Sequence, residues 1–483
     1  MNIIAALDDP KVFGRHFRES GTWDAWLAFL AAIFALPMTP AQLATYRQCT
    51  GRTSPPSSRL FEAWLVCGRR AGKSFMLAVV AVFLATFKDW RRYLGPGERG
   101  TIMVIAADRK QARTIMRYVL GLLQSVPMLA RTIEAERAES LDLNNRITIE
   151  VHTASFRTVR GYSIVAALLD EIAFWPSEDS ANPDTEIVAA LRPAMATVPG
   201  AVLLCASSPY ARRGALWNSY DRHFGKEGDS VLIWQAATRT MKPTVPQSIV
   251  DEALADDPAR ASAEYLAKFR TDVEAFITRE AVQAVTTRSV RERPPLSDHR
   301  YFAFTDPSGG AHDSFTLAVA HKEDNKVVLD CIRETRPPFS PESVVAEFAT
   351  TLKSYRIGTV TGDRYAGDWP REQFRKRGIE YRCADRPKSD LYLHLLPAIN
   401  SGNVDLLDND KMLAQLCRLE RRTARGGRDS IDHPPNGRDD VANAAAGVVH
   451  CVLSEAARVP EICAGPLRGE IIRADGGGAR MRV

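Results

Sequence analysis

Cys67-Gly68-Arg69-Arg70-Ala71-Gly72-Lys73-Ser74 stands between a short apolar run, Ala63–Cys67, and an apolar stretch that continues to about Phe87. A strand that turns through glycines straight into a helix leaves a chain few options. The strand must be buried in a sheet, and the helix must pack back against it. At such a helix start the backbone N–H groups converge, glycines permit close approach, and a lysine and a hydroxyl follow at once. That combination holds phosphate: Lys73 would reach the terminal phosphate oxygens and Ser74 a Mg²⁺ ion. The strict form of this loop carries Gly where Cys67 stands, so the loop is a variant. An ordinary glycine-rich β–α turn is the plainer reading, and the strands that follow bear on the choice.

Thr101–Ala107, Ile147–His152, Ile164–Leu169 and Ala201–Ala206 read as further strands, and Arg109–Leu123 as an amphipathic helix. Continuous apolarity in the last two strands suggests burial on both faces, hence a mainly parallel sheet. Ala166-Ala167-Leu168-Leu169-Asp170-Glu171 ends one of them in two carboxylates. Phosphoryl transfer to water uses two such acids, here Asp170 on the metal and Glu171 beside the attacking water. On its own, a strand ending in Asp-Glu is more often a helix start. The loop about 100 residues upstream reverses that preference. Ser207 and Ser208 end another strand and could sense the terminal phosphate. Arg157 and Arg160 precede the acidic strand and read either as arginine fingers or as surface charge.

The second half has a different pattern. Thr286–Arg300, TTRSVRERPPLSDHR, is polar, charged and proline-bearing, and reads as a tether between two units. The expected division is residues 1–285 with the phosphate loop, a linker at 286–300, a second unit at 301–460 and a basic tail at 461–483. Three closely spaced strands (Tyr301–Thr305, Phe315–Ala320, Lys326–Ile332) precede a helix begun by Ser340 and Pro341. A strand at Gly358–Gly362, a helix at Trp369–Arg377 and a strand at Ile379–Cys383 follow. This β-β-β-α-β-α-β order predicts a ribonuclease H-like sheet in which the first and fourth strands are neighbours. Asp306 ends the first and Asp363 the fourth, while Asp439-Asp440 opens the last helix. Three acids gathered so would suit two Mg²⁺ or Mn²⁺ ions and phosphodiester hydrolysis. Taken singly, each of these acids reads as a cap or turn residue. Asp440 is favoured over Asp439 by register, Asp313 reads as a supporting acid, and His433 as an ordinary loop histidine.

Composition adds limits. The 63 basic residues divide into 50 Arg and 13 Lys. This suits phosphate contacts, and equally a nucleotide-composition bias of the source. Arg371–Arg377 and Arg418–Arg428 could follow DNA phosphates, or be solvated helix faces. Eight scattered cysteines without a C-x-x-C pair read as reduced thiols with no structural zinc site. The start MNIIAALDDP lacks the basic opening of a signal peptide, and the most apolar run, Trp26–Leu36, is too short for a bilayer. A soluble, intracellular protein without a membrane partner is expected.

GRRAGKS, LLDEIAFW, the SSP strand end, the Arg-Gly step at 160–161, DP-x-GG after Thr305 and HPPNGRDDxANA before the last helix together resemble the large terminase subunit of tailed bacteriophages. The resemblance spans roughly residues 35–455. It implies an α/β chain with a P-loop ATPase followed by a ribonuclease H-like nuclease. The implied activity is ATP-driven translocation of double-stranded DNA into a procapsid, with metal-dependent endonucleolytic cutting. It further implies nucleotide contacts from Gly68, Arg69, Arg70, Ala71, Gly72, Lys73 and Ser74, adenine contact by Gln42, and Arg160 acting on a neighbour's ATP. Implied partners are a small terminase subunit, the portal protein of the procapsid and further copies in a ring, in the cytoplasm of a bacterial host. The alternative is a P-loop ATPase whose C-terminal unit only binds or docks. A helicase-like ATPase would need a second motor unit, and residues 300–483 carry no helicase motifs.

Overall fold

A computed structural model describes residues 1–17, 21–154, 161–175, 183–311, 313–363, 369–423, 429–435 and 437–458. In the N-terminal half, β1 (Glu62–Cys67), β2 (Gly100–Ala106), β3 (Ile133–Glu136), β4 (Ser140–Leu143), β5 (Ile147–Thr153), β6 (Ser163–Asp170), β7 (Val202–Ser207) and β8 (Val231–Ala236) share one sheet. Their order is β3-β4-β5-β2-β6-β7-β1-β8. From β5 to β8 every neighbour is parallel, and β3 and β4 close the edge antiparallel. The central strands are apolar along their whole length because helices cover both faces. The Lys73–Phe87 helix is one of these covers, with Met76 to Ala85 buried throughout.

The C-terminal half contains β9 (Val273–Ala275), β10 (Thr286–Thr287), β11 (Tyr301–Asp306), β12 (Phe315–Glu323), β13 (Lys326–Thr335), β14 (Thr359–Gly362), β15 (Glu380–Cys383), β16 (Val404–Leu407), β17 (Glu420–Thr423) and β18 (Asp429–Asp432). One sheet runs β10-β16-β13-β12-β11-β14-β15, and β18-β17-β9 form a small second sheet. β11, β12 and β13 are an antiparallel meander, while β14 and β15 lie parallel to β11. The core five are thus ordered third, second, first, fourth, fifth, the arrangement of a ribonuclease H-like sheet.

The stretch 286–300 differs from a free tether. It opens with β10, which pairs with β16, and Phe276, Ile277, Val282 and Val285 already lie in the C-terminal core. Further along, the Arg293 carbonyl accepts from Tyr355 Oη at 2.6 Å, and Leu296 N–H donates to Tyr301 Oη at 2.9 Å. A two-residue strand carries no hydrophobic period, which is why polar composition alone masks it. Among the described residues no helix is long and apolar enough to cross a membrane.

Candidate functional site

β6, β7 and β1 are consecutive parallel strands, so their C-terminal ends open on the same side of the sheet. Asp170 pairs with Ala206, and Val66 with Ser207. The residues that follow, Glu171, Ser207-Ser208 and the Gly68 loop, therefore meet. Gly68 is required by crowding: a Cβ there would sit 2.3 Å from Thr238 Oγ1 and 2.8 Å from the Tyr265 carbonyl. The loop is further held by Trp26 Nε1 donating to the Ala71 carbonyl at 2.9 Å and Thr238 Oγ1 to that of Arg69 at 2.7 Å.

Lys73 is buried, 5% exposed. Its ammonium donates to the carbonyls of Cys67 and Gly68, both at 3.1 Å, and to Ser208 Oγ at 3.0 Å. It also lies 3.2 Å from Glu171 Oε1. Glu171 has φ 51°, a left-handed conformation rarely taken by residues other than glycine. That turn swings its carboxylate toward β7, where Oε2 accepts from Ser208 N–H at 3.0 Å and Ser207 Oγ at 3.2 Å.

Asp170 is fully buried. Its Oδ2 accepts from Ser74 Oγ at 2.7 Å and Gln111 Nε2 at 3.0 Å, and its Oδ1 has no partner. Burial pushes the carboxyl up to about 6, the Glu171 charge adds to this, and Ser74, Lys73 and Gln111 oppose it. A buried carboxyl with one orphan oxygen beside a serine hydroxyl has the oxygen-donor chemistry that Mg²⁺ takes. A cavity of about 570 Å³ borders the loop, Lys73, Ser74 and Glu171.

Arg157 and Arg160 lie outside the described residues. Gln42 sits in the first turn of the Pro40–Thr50 helix and closes a capping box: its Oε1 accepts from Thr39 N–H at 2.9 Å. Its side-chain carbonyl is thus spent on the helix start. The residues bordering the cavity include Trp23, Phe75 and Tyr118 but not Gln42.

The second constellation follows from the other sheet. Thr305 pairs with Gly362 across parallel β11 and β14, so Asp306 and Asp363 emerge side by side. The Asp440–Arg458 helix packs across them. Asp440, Asn443 and Gly447 share its inner face at helical spacing. Gly447 permits the close approach, since a Cβ there would fall 2.3 Å from the Phe304 ring. Asn443 Nδ2 then donates to Asp306 Oδ2 at 2.8 Å, and Ser314 N–H donates to Asp440 Oδ2 at 3.2 Å. Burial first, then the charges of Asp440, Asp363 and Asp439, push Asp306 up to about 8, against the Asn443 hydrogen bond. Asp440 is pushed up to about 6, again chiefly by burial, with Asp439 and Asp313 adding. Carboxyls that repel one another in this way fit divalent cations, which would compensate the charge.

Asp439 is bound differently. It is 5% exposed, accepts from Tyr392 Oη at 2.8 Å, and lies 3.0 Å from Lys388 Nζ. The same ammonium reaches Asp432 Oδ1 at 2.9 Å. Asp432, His433 and Asp439 offer ligand atoms within 4.8 Å of one another, with Lys388 between the two acids. Gln111 and Lys388 carry no motif in the sequence, and Asn443 enters it only as the Asn of HPPNGRDDxANA, with no role of its own. Of the basic stretches, Arg371, Arg375 and Arg377 are exposed. Arg421 and Arg422 pair with Asp429 and Glu420, and residues 424–428 lie outside the described residues.

Residues 65–197 match the family model for the N-terminal part of the terminase large subunit, T4likevirus-type. Among solved structures, the large terminase of bacteriophage HK97 is similar at 16% identity, covering 86% of this chain and 95% of that one, with a TM-score of 0.36. The large terminase of a thermophilic bacteriophage, in complex with ADP, is similar at 12% identity, covering 81% and 94%, with a TM-score of 0.35. The large terminase nuclease of thermophilic phage G20c with bound magnesium is similar at 17% identity, covering 37% and 98%, with a TM-score of 0.33. Among curated proteins none matches.

Proposed function

We propose that this chain is a large terminase subunit, a reading its match over residues 65–197 supports, and that it hydrolyses ATP to move double-stranded DNA and cuts that DNA at a separate metal-dependent site. The observation that carries the reading is the convergence of Lys73 and Ser74 after β1 with Asp170 and Glu171 at the end of β6, across the intervening β7, with Ser74 on Asp170 and Lys73 on Glu171. We place the division between the two units near residue 272, because β9 pairs with β17 and the chain from Phe276 onward packs in the C-terminal core, although the Val273 side chain still rests on Tyr210 and Ala211.

In the ATPase, the triphosphate would draw the Lys73 ammonium away from Glu171. Glu171, still anchored by Ser208 N–H, would then be free to orient and deprotonate water. Ser208 touches both Lys73 and the Glu171 carboxylate, so it would register loss of the terminal phosphate. Arg160 would act on the ATP of a neighbouring copy in a ring, and Gln42 would contact adenine only if its capping bond is given up. In the nuclease, Asn443 would hold Asp306 in line with Asp363 and Asp440, and Lys388 would keep Asp439 as a structural ion pair. Divalent cations, held by Ser74 with Asp170 and by Asp306, Asp363 and Asp440, would polarise the phosphoryl oxygens at the two sites. The Arg371–Arg377 face would follow DNA phosphates without reading bases. A small terminase subunit and a procapsid portal would be the assembly partners, in the cytoplasm of a bacterial host.

Purified protein incubated with plasmid, ATP and Mg²⁺ or Mn²⁺ tests the reading. Phosphate release that DNA stimulates, together with cleavage that EDTA stops, is expected. ATP hydrolysis without cleavage under either metal would leave the second set of acids structural. Neither activity would overturn the whole assignment.

A further inference from the structure

We propose that the base of the bound nucleotide is held by stacking in an aromatic slot formed by Trp23, Phe75 and Tyr118. This deepens the ATPase reading above and rests on it. The lining of the cavity beside the phosphate loop combines two chemistries: Arg69 to Ser74 and Glu171, which would hold phosphate and cation, and the rings of His16, Trp23, Phe75 and Tyr118 with the Lys242 ammonium. A nucleotide with its phosphates on the loop would bring its base against those rings.

Three independent features place the slot. Phe75 directly follows Ser74, at the helix start that points toward the phosphates. The Trp23 ring lies against the loop itself, 3.7 Å from where a Cβ on Gly72 would be. Tyr118 is on the Arg109–Ser125 helix, seven residues beyond the Gln111 that binds Asp170. Seven residues are about 10 Å of helix on one face, which separates the cation end from the base end by roughly the length of a nucleotide's sugar and phosphates.

The rings touch one another at an angle: Trp23 and Phe75 have centroids 5.7 Å apart at 44°, and Phe75 and Tyr118 5.5 Å at 86°, so a base would stack on one ring face and meet its neighbour's edge. Phe17 packs against both Trp23 and Phe75, at 5.0 and 5.9 Å. Tyr118 is nevertheless 41% exposed, so packing of the core does not account for it. Lys242 Nζ lies 5.8 Å from the Trp23 ring centroid, near enough to favour an electron-rich heterocycle beside it. Gln42, by contrast, has its carbonyl committed to Thr39. Flat rings at the mouth of a phosphate site suit a flat base, and stacking on aromatic side chains is tolerant of base identity.

The test compares two probes on the full-length protein: a non-hydrolysable ATP analogue and inorganic tripolyphosphate, both with Mg²⁺, by titration calorimetry. Stacking accounts for roughly a ten- to hundredfold share of base affinity. Tyr118→Ala and Trp23→Ala are each expected to weaken the ATP analogue by about tenfold or more and leave tripolyphosphate unchanged, with Trp23→Phe recovering most of the loss. Tyr118 is exposed, so its variant keeps the proposal testable if Trp23→Ala fails to fold. Equal loss for both probes, or no loss for either in Tyr118→Ala, would overturn the slot. Binding of neither probe by the unaltered protein would instead overturn the ATPase reading and the slot with it.

Discussion

Tyr210 Oη donates to Glu420 Oε2 at 2.6 Å across the boundary between the two halves. Glu420 is fully buried on β17, where Arg213 from the N-terminal half and Arg422 from its own strand also reach it. Tyr210 follows by two residues the Ser208 that touches Lys73 and Glu171. The one buried carboxylate thus joins the chain just after β7 to the small sheet β18-β17-β9. Removing one partner of such a buried cluster costs about 3–5 kcal/mol, and a single hydrogen bond to a charged group about 1.5–3. Urea unfolding should therefore rank Glu420→Ala as more destabilising than Tyr210→Phe. Equal midpoints for both variants and the unaltered protein would show that the contact contributes nothing.

Lys73→Ala is expected to abolish ATP hydrolysis while plasmid nicking survives, because the two sets of residues lie on different sheets. Glu171→Gln should still bind ATP yet turn it over about 10²- to 10⁴-fold more slowly, since the amide cannot accept a proton from water. Steady-state phosphate release with a parallel binding titration separates these outcomes. Weak binding by Glu171→Gln would assign the residue to the loop's architecture instead.

The two acids at the head of the last helix should separate cleanly. Asp440→Asn is expected to stop cleavage with little loss of stability, since it relieves repulsion around Asp306. Asp439→Asn should keep cleavage but lower stability, because it leaves the half-buried Lys388 ammonium with Asp432 alone. Nicking assays and urea midpoints on both variants check this. The reverse pattern would move the metal role to Asp439.

Without metal, stability should fall as pH rises. Asp306 is pushed up to about 8 and Asp440 to about 6. Both values exceed that of a free carboxyl, so the folded chain holds more protons than the unfolded one between about pH 4 and pH 8. Their contribution is therefore present in acid and lost as pH climbs through the folded values. In EDTA, the denaturation midpoint should drop from about pH 5 to about pH 8.5, and Asp306→Asn should flatten that slope. Added Mg²⁺ should restore the midpoint most at the alkaline end, where no proton has to be displaced. A flat profile for the unaltered protein would contradict the cluster.

A fragment beginning at Val273 should fold, whereas one beginning at Asp298 should not. The shorter piece loses Phe276, Ile277, Val282 and Val285 from its core. At about 1.5–3 kcal/mol for each buried side chain, that loss rivals a domain's whole stability. Circular dichroism melting of the two fragments decides the matter.

Much of the architecture was legible because the acids and the phosphate loop sit at strand ends. There, position along the chain fixes position in the sheet. Asp306 and Asp363 could be paired from strand order alone, since parallel neighbours carry their C-terminal residues to one edge. Helical contributors were not legible in the same way. Gln111, Asn443 and Lys388 depend on which helix face turns inward, and packing decides that. Residues 273–285 read as the end of the first unit and 286–287 as linker, since strands of three and two residues have no period to reveal them. Trp23 lies outside any motif, and only the folding of the N-terminal segment against the loop brings it to the cavity. Arg157 and Arg160 were both marked by their place before the acidic strand, the resemblance alone favoured Arg160, and both lie outside the described residues.

The helix that carries Asp440 rests on Phe304 with no side chain between them, at Gly447. A missing methyl group there works as a gauge: it sets how far the last helix stands off the first strand. The gap between Asp440 and Asp306 is therefore machined two turns along the helix from one acid and two residues along the strand from the other. One added carbon would act as a shim, opening the gap without touching any charge. The spacing of the acids can thus be reset by bulk alone.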